Sequence, residues 1–312
     1  MAKQSVGIVG TGQVGVAGAF AMFVQDVCSE LILVDIDKKR AHGEALDLMH
    51  GQGYAGRILV RDGDYDALAG CQVVVISAGA AQKPGETRLD LLNKNARIFA
   101  SIAAQLDRYA PDAIVIVASN PVDILTYIMQ ELSDRPRERV IGTGTMLDTS
   151  RFRSMLGDYY RVDPKSVHGY ILGEHGDSEF AAWSTVTIGG KSPVDAGILG
   201  RPWNQPDMDT LFCQVRNAAY KIIEGKGYTN WAIGLVISRL VAIILEDRCS
   251  IQPVSARLQD DYGINGVCLS LPTRVSMNGV EGHVHLRLND AEREALTQSA
   301  AIMAAAIADV EL

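Results

Sequence analysis

Cysteine is scarce in this sequence and poorly arranged for covalent work. Cys28, Cys71, Cys213, Cys249 and Cys268 are the only five, odd in number and never in a CxxC pair. That pattern excludes a disulfide framework and fits reduced thiols in a cytoplasmic compartment. Positive charge is short as well. The chain has 29 Lys and Arg against 37 Asp and Glu, a net charge of −8, which favours neither a nucleic acid nor an anionic membrane surface as partner. No long hydrophobic run is present: "WAIGLVISRLVAIIL" is interrupted by Arg239 and too short to span a bilayer. The N-terminal "MAKQSVGIVG" enters a strand-like segment with no apolar signal region and no cleavage site. Low-complexity tracts, obvious repeats and long linkers are missing too. What remains is an acidic globular chain of 312 residues, 47% apolar, long enough for a substantial core and two domains.

The first 142 residues alternate short apolar runs with helical patterns. The runs "SVGIVG", "LILVDID", "VVVISAG", "AIVIVASN" and "VIGTG" are apolar throughout, without the polar alternation of a half-exposed sheet. Such strands, separated by helices like "VGVAGAFAMFVQD" and "LLNKNARIFASIAAQLDRY", require a parallel sheet covered on both faces. Residues 1–142 are therefore expected to form a doubly wound α/β dinucleotide-binding domain. From residue 143 to 312 the texture becomes mixed α+β, the pattern of a catalytic domain. It reads as a helix at "LDTSRFRSMLGDYY", strands around "SVHGYILGEHG" and "FAAWSTVTIGG", long helices near 211–224 and 229–246, a strand meander turning at "NG", and a last helix from Asp290. In that helix Leu296, Met303, Ile307 and Val310 form one stripe, expected to be core.

"GIVGTGQVG" places Gly10, Gly12 and Gly15 in GxGxxG spacing between a strand and a helix. The physics asks for a tight turn at Gly10, bare backbone at Gly12 where a pyrophosphate can approach, and close helix–sheet packing at Gly15. Asp35 follows Gly15 by 20 residues (35 − 15), where a carboxylate can accept from ribose hydroxyls and would repel a 2′-phosphate. NAD is the implied cofactor. "SAGA" and "ASNP" would end further strands at the same edge, with Asn120 offering an amide there, although an ordinary turn Asn before Pro reads the same way. "LGEHGDSEF" sets His175 in a glycine-flanked turn, and "LDTSRFR" supplies Asp148 and Arg151, three apart and so on one helix face, with Arg153 pointing elsewhere. A solvated histidine and a salt-bridged helix surface are the plain alternatives, and spacing alone does not bring His175 to Asp148. His283 and His285 alternate in "GHVHLRL" with no third ligand nearby in sequence, so no metal is expected.

The segments "GTGQVG", "AAQKPGETRLDLL", "SNPVDILTY", "GTGTMLDTSRFR", "HGYILGEHGDSEFAAWS" and "KGYTNWAIGL", met in order from near the N-terminus to beyond residue 230, together resemble the lactate/malate dehydrogenase family. The match is to its NAD-dependent L-lactate branch. That resemblance implies reversible hydride transfer between NADH and pyruvate, with His175 as acid/base, Asp148 orienting its imidazole, Arg151 gripping the substrate carboxylate, and Arg88 polarising the carbonyl from a closing loop. Asn120, Asp123 and Thr229 match substrate-contacting positions. Val14, Arg40, Tyr65, Gly79, Ala80, Ser101, Ala118, Thr143 and Ile233 match positions lining the cofactor, beside Gly10, Gly12, Gly15, Asp35 and Asn120. Gln82 stands where relatives that use malate typically carry Arg. A dicarboxylate entering a closed site against Gln82 would leave one anion uncompensated, at about several kcal/mol, so pyruvate is the expected substrate.

Arg153 and His168 coincide with positions that bind fructose 1,6-bisphosphate across a subunit interface in many bacterial relatives. The resemblance therefore also implies a homotetramer with a possible sugar-bisphosphate effector in fermentative pyruvate metabolism; surface cations without an effector are the alternative. Two rivals stand beside this reading. One is a dehydrogenase for malate or for bulkier 2-hydroxy acids; the other is a catalytically silent NAD-binding protein.

Overall fold

The structure, a computed structural model, describes residues 4–80, 85 and 87–310, the side chains of Arg88 and Ala196 excepted. Six parallel strands form its first half: β1 (Ser5–Val9), β2 (Glu30–Val34), β3 (Leu59–Asp62), β4 (Val73–Ile76), β5 (Ile114–Val117) and β6 (Val140–Gly142). Every position of these strands is buried except on the edge strand β3. Unbroken apolar runs demand this, because a strand with no polar face has to be covered on both sides. The covering helices that follow the strands are α1 (Gln13–Gln25), α2 (Lys38–His50), α3 (Arg88–Tyr109) and α4 (Val122–Leu132). The sheet runs β3-β2-β1-β4-β5-β6, so the order reverses between β1 and β4 and leaves a crevice at their carboxyl ends. The expected α/β fold, a doubly wound sheet followed by a mixed second half, is the one observed.

Helix α3 begins three residues before the segment in which the sequence shows it. A capping box fixes its start: the Thr87 hydroxyl accepts from Asp90 N–H, and the Asp90 carboxylate accepts from Thr87 N–H. Arg88 is thereby the first residue inside the helix.

The second half continues with α5 (Met146–Tyr160) and two short antiparallel ribbons. β7 (Val167–His168) pairs with β10 (Thr187–Ile188), and β8 (Ile171–Leu172) with β9 (Phe180–Ala181). Then come α6 (Pro193–Ala196), α7 (Gln205–Arg216), α8 (Ala218–Lys226) and α9 (Trp231–Leu245). The single helix expected near 211–224 is two, because Asn217 leaves the helical conformation and its N–H caps the carbonyls at the end of α7.

The sheet does not stop at residue 142. Strands β11 (Ser250–Asp261), β12 (Ile264–Ser276) and β13 (Gly279–His283) extend it antiparallel from β6 to nine strands, joined at Ser255 opposite Gly142. The sequence gives no strand signal over 250–261, where Pro253 and scattered polar residues hide β11; Pro253 lies opposite Pro272 of β12. The final helix α10 (Asp290–Ala308) buries Leu296 and Met303, with Ile307 and Val310 packed partly against the same core, as the stripe predicts. One core lies under α3, α4 and α10; a second lies under α1, α2 and α9, so each face of the sheet is covered by helices from both halves. A third cluster, around Phe152, Met208 and Leu211, holds the second half together.

Candidate active site

At the crevice, β1 is followed by Gly10 at φ +100°, where a Cβ would stand 2.5 Å from the Ala78 amide nitrogen. A Cβ on Gly15 would collide with the Gly10 carbonyl oxygen, which also accepts from the Ser77 hydroxyl at 2.7 Å. At Gly12, by contrast, a Cβ would meet nothing within 4 Å. Gly12 also caps α1 without a side-chain hydrogen bond, and the first turn carries no acidic residue. The start of α1 is thus open beside Gly12, a cradle that fits the pyrophosphate of a dinucleotide.

Asp35 follows β2 directly. Its carboxylate accepts from Thr11 N–H (2.6 Å), the Thr11 hydroxyl (2.9 Å) and Asp37 N–H (2.9 Å). Partial burial opposes the charge, but these hydrogen bonds outweigh it and hold the group below the usual carboxylate range. Tyr65 lies close enough to Asp35 that burial and this charge together push its phenol up, and the exposed Arg40 adds a cation nearby. Gly79 and Ala80 continue from β4, with Ala80 N–H donating to the Asn95 carboxamide at 2.7 Å. Ala118 and Thr143 follow β5 and β6; Val14 and Ile233 pack against one core cluster from α1 and α9. Ser101 is exposed on α3, six residues and about 9 Å along the axis past Asn95, with no hydrogen bond to this turn among the described residues.

Beside this edge opens a cleft of about 580 Å³, walled by Asn120, Asp148, Arg151, His175, Glu179 and Arg216 among others. Asp148 is 2% exposed and uses both oxygens: Oδ2 meets His175 Nδ1 at 2.6 Å, and Oδ1 accepts from Arg151 Nη1 at 2.8 Å. Helical spacing puts Asp148 and Arg151 on one face of α5, and the turn after β8 delivers His175 to the same carboxylate. Burial would depress the imidazole pKa, but the Asp148 carboxylate overrides it and raises His175 to about 9. Asp148 is itself buried, yet His175 and Arg151 hold it ionised, below the usual range.

The resemblance groups Asp123 with the substrate-contacting residues; the structure places its carboxylate under the cleft, on the backbone of His175. It is 2% exposed and outside the cavity wall, and its Oδ2 accepts from His175 N–H at 2.7 Å. The other oxygen lies buried toward the Ser255 hydroxyl, and burial pushes the carboxyl up to about 6. Asp123 therefore holds the turn that carries the histidine. Thr229 sits half-buried between α8 and α9, also outside that wall. Gln82 and the Arg88 side chain lie outside the described residues.

Arg153 turns away from the cleft. Its Nε donates to the Gly169 carbonyl at 3.0 Å and its guanidinium stacks 5.0 Å from the Tyr170 ring centroid. His168, on β7 beside Gly169, is exposed. His283 and His285 both reach Asp261: His285 Nε2 lies 2.6 Å from Oδ1 and His283 Nε2 lies 3.8 Å from Oδ2.

Sequence reasoning passes over Glu179, four residues beyond His175. It is 5% exposed, one carboxyl oxygen has no hydrogen-bond partner, and it shares with Asp148 and His175 a cluster of polar atoms within 4.8 Å of one another. Nothing in "HGDSEF" marks it, because acids after turns are ordinarily solvated.

Two family models match the chain. The NAD binding domain of lactate/malate dehydrogenase covers residues 4–142, and the alpha/beta C-terminal domain of the same family covers residues 145–311. The chain is 54% identical to an L-lactate dehydrogenase of Salinibacter ruber over 309 residues, 99% of this chain and 98% of that one. It is 45% identical to an L-lactate dehydrogenase of Thermus aquaticus, over 96% of each. The crystal structure of a minor L-lactate dehydrogenase from Enterococcus mundtii in a ligands-bound form superposes with a TM-score of 0.96 at 42% identity, over 99% of both chains.

Proposed function

The chain belongs to the lactate/malate dehydrogenase family and is an NAD-dependent L-lactate dehydrogenase, and from that premise we propose how its residues divide the reduction of pyruvate to (S)-lactate. The observation that carries the assignment is the single Asp148 carboxylate shared by His175 and Arg151 at 2.6 and 2.8 Å. With Nδ1 engaged, His175 keeps Nε2 for the substrate oxygen and starts protonated, so it can deliver a proton to the developing alkoxide. Asp148 stabilises the imidazolium and fixes the ring. Arg151 retains guanidinium N–H groups beyond the one on Asp148, enough to hold a carboxylate in a fork that Lys could not copy. Asn120 offers its amide at the cleft wall, and Asp123 anchors the His175 backbone. When bound at the Gly10–Gly15 turn, NADH supplies the hydride that attacks substrate C2.

The loop then selects the substrate. Arg88 closes over the carbonyl as charge develops on its oxygen, and uncharged Gln82 leaves no partner for a second carboxylate. We place the division between the two domains at residue 142. A homotetramer in the cytoplasm fits exposed Phe20, Val24, Trp231 and Leu235 on the paired helices α1 and α9 and five cysteines none of which is joined in a disulfide. Arg153 and His168, adjacent through Gly169 and outside the cleft wall, are the residues we assign to a fructose 1,6-bisphosphate site. The deciding assay is NADH oxidation with pyruvate and with oxaloacetate, each with and without the sugar bisphosphate. A strong pyruvate preference supports Gln82 as selector, and oxaloacetate preference sinks it. Activation that disappears in Arg153→Gln and His168→Ala supports the effector site; activation curves unchanged by both substitutions remove it.

A further inference from the structure

Glu179 is an anomaly in a cleft that must receive an anion. Asp148 already commits both oxygens to His175 and Arg151, so its negative charge is matched. Glu179 has no such arrangement: one oxygen is buried without a partner, and no ion pair within 4.0 Å includes it among the described residues. Two carboxylates whose polar atoms lie within 4.8 Å cannot both ionise cheaply, and the one with fewer hydrogen bonds keeps its proton. The charged groups that face Glu179 are Asp148 and Arg151 on α5, His175 after β8 and Arg216 at the end of α7. Asp123 of α4 acts on His175 from below. Burial first, and Asp148 second, push the Glu179 carboxyl up to about 8, against the pull of His175 and the two arginines.

We infer that Glu179 is a proton-holding positioning residue: while neutral it leaves Arg151 free for the substrate carboxylate, and on ionising it becomes a rival anion that expels substrate. The inference rests on the L-lactate dehydrogenase reading and deepens it. On ionising, the carboxylate also adds to the pull that keeps His175 protonated; its larger effect is on the affinity of the cleft for any carboxylate, which falls as pH rises. Because the effect works through Arg151, it falls on KM for both pyruvate and lactate. That separates it from the titration of His175, which favours pyruvate when protonated and lactate when neutral, and so moves the two substrates in opposite directions.

The test compares wild type with Glu179→Gln at about pH 6 and about pH 9. The ratio of the variant KM to the wild-type KM is expected to fall about tenfold between these pH values for both substrates, the size of a one-unit difference in protonation coupling, while the kcat ratios move less and in opposite directions for pyruvate and lactate, as loss of a charge that supports protonated His175 requires. A KM ratio independent of pH overturns the inference, since a merely structural residue would shift KM equally at both. Should the variant not fold, wild type labelled with carboxyl-¹³C glutamate decides by infrared difference. A protonated glutamate carbonyl band present near pH 6 and lost by about pH 10 is expected, and its absence near pH 6 overturns the proposal. Wild type inactive toward pyruvate near pH 6 would instead sink the parent reading.

Discussion

At the nucleotide end of the cleft the working groups are main-chain atoms of one turn, Gly10 to Gly15, with Asp35 at the end of the next strand. At the substrate end they are side chains that meet only because α4, α5 and the turn after β8 converge; Asp148 and His175 are 27 residues apart in the chain. The first end is shaped by what side chains must not be there, the second by a charge balance among Asp148, Arg151, His175, Asp123 and Glu179. A site made of backbone should fail by steric exclusion. One made of coupled charges should fail by retitration, with effects that change with pH.

The largest expected effect tests the charged end. Asp148→Asn leaves the shape but removes the anion that His175 and Arg151 share, so burial of the imidazole is no longer offset. We expect kcat for pyruvate to drop roughly 10³- to 10⁴-fold and the alkaline limb of kcat to move down from near 9. The sign is fixed by chemistry. Pyruvate reduction needs protonated His175, so its kcat is level below about 9 and falls above; lactate oxidation needs the neutral ring, so its kcat rises toward about 9. A profile for Asp148→Asn with its limb still near the wild-type position would mean that Asp148 does not set the imidazole's charge.

Second in size is the loop. Gln82→Arg would supply a partner for the second carboxylate, and the ratio of kcat/KM for oxaloacetate over pyruvate should rise by roughly 10²- to 10⁴-fold, matching a penalty of about several kcal/mol for an uncompensated anion. Steady-state kinetics on both acids read this directly, and an unmoved ratio would take selection away from Gln82.

The glycine turn should break differently. Gly15→Ala drives a methyl group into the Gly10 carbonyl and should cost about 1–3 kcal/mol of stability with or without NADH. Gly12→Ala meets only open space, so denaturation in the absence of cofactor should shift by less than about 1 kcal/mol, while NADH binding weakens by about tenfold or more. If both variants lost stability alike, the free space at Gly12 would not be the cofactor's.

The same contrast explains what could be read without coordinates. The parallel sheet was legible because its strands are apolar at every position, and the glycine turn because its constraint lies within six consecutive residues. Strand β11 was hidden by Pro253, which argues against a strand wherever the partner is unknown. The break at Asn217 was hidden because the residues around it keep a helical pattern. In the site, residue types suggested Asp148, Arg151 and His175, but only the fold makes one carboxylate serve both cations. Glu179 escaped, and the hold of Asp123 on the His175 turn went unread, for a shared reason: a carboxyl's role is set by whether it is buried and by what faces it, and sequence shows neither.

The smallest expected effect lies at the border of the comparison, on Ser101. Resemblance assigns it to the cofactor, yet it is exposed on α3, and Asn95, six residues earlier, is where that helix grips the strand edge through Ala80 N–H. A hydroxyl already satisfied by water gains little from a ligand that reaches it at the solvent edge. Ser101→Ala should therefore leave the NADH Kd within about twofold and, by better helix propensity, raise stability by at most about 0.5 kcal/mol. Asn95→Ala should do the opposite, loosening the Ala80 turn and weakening NADH binding more than the serine change does. Titration of NADH fluorescence ranks the two. A larger loss at Ser101 would mean that α3 moves toward the bound cofactor, and the nucleotide end would then depend on side chains as well as on the backbone of its turn.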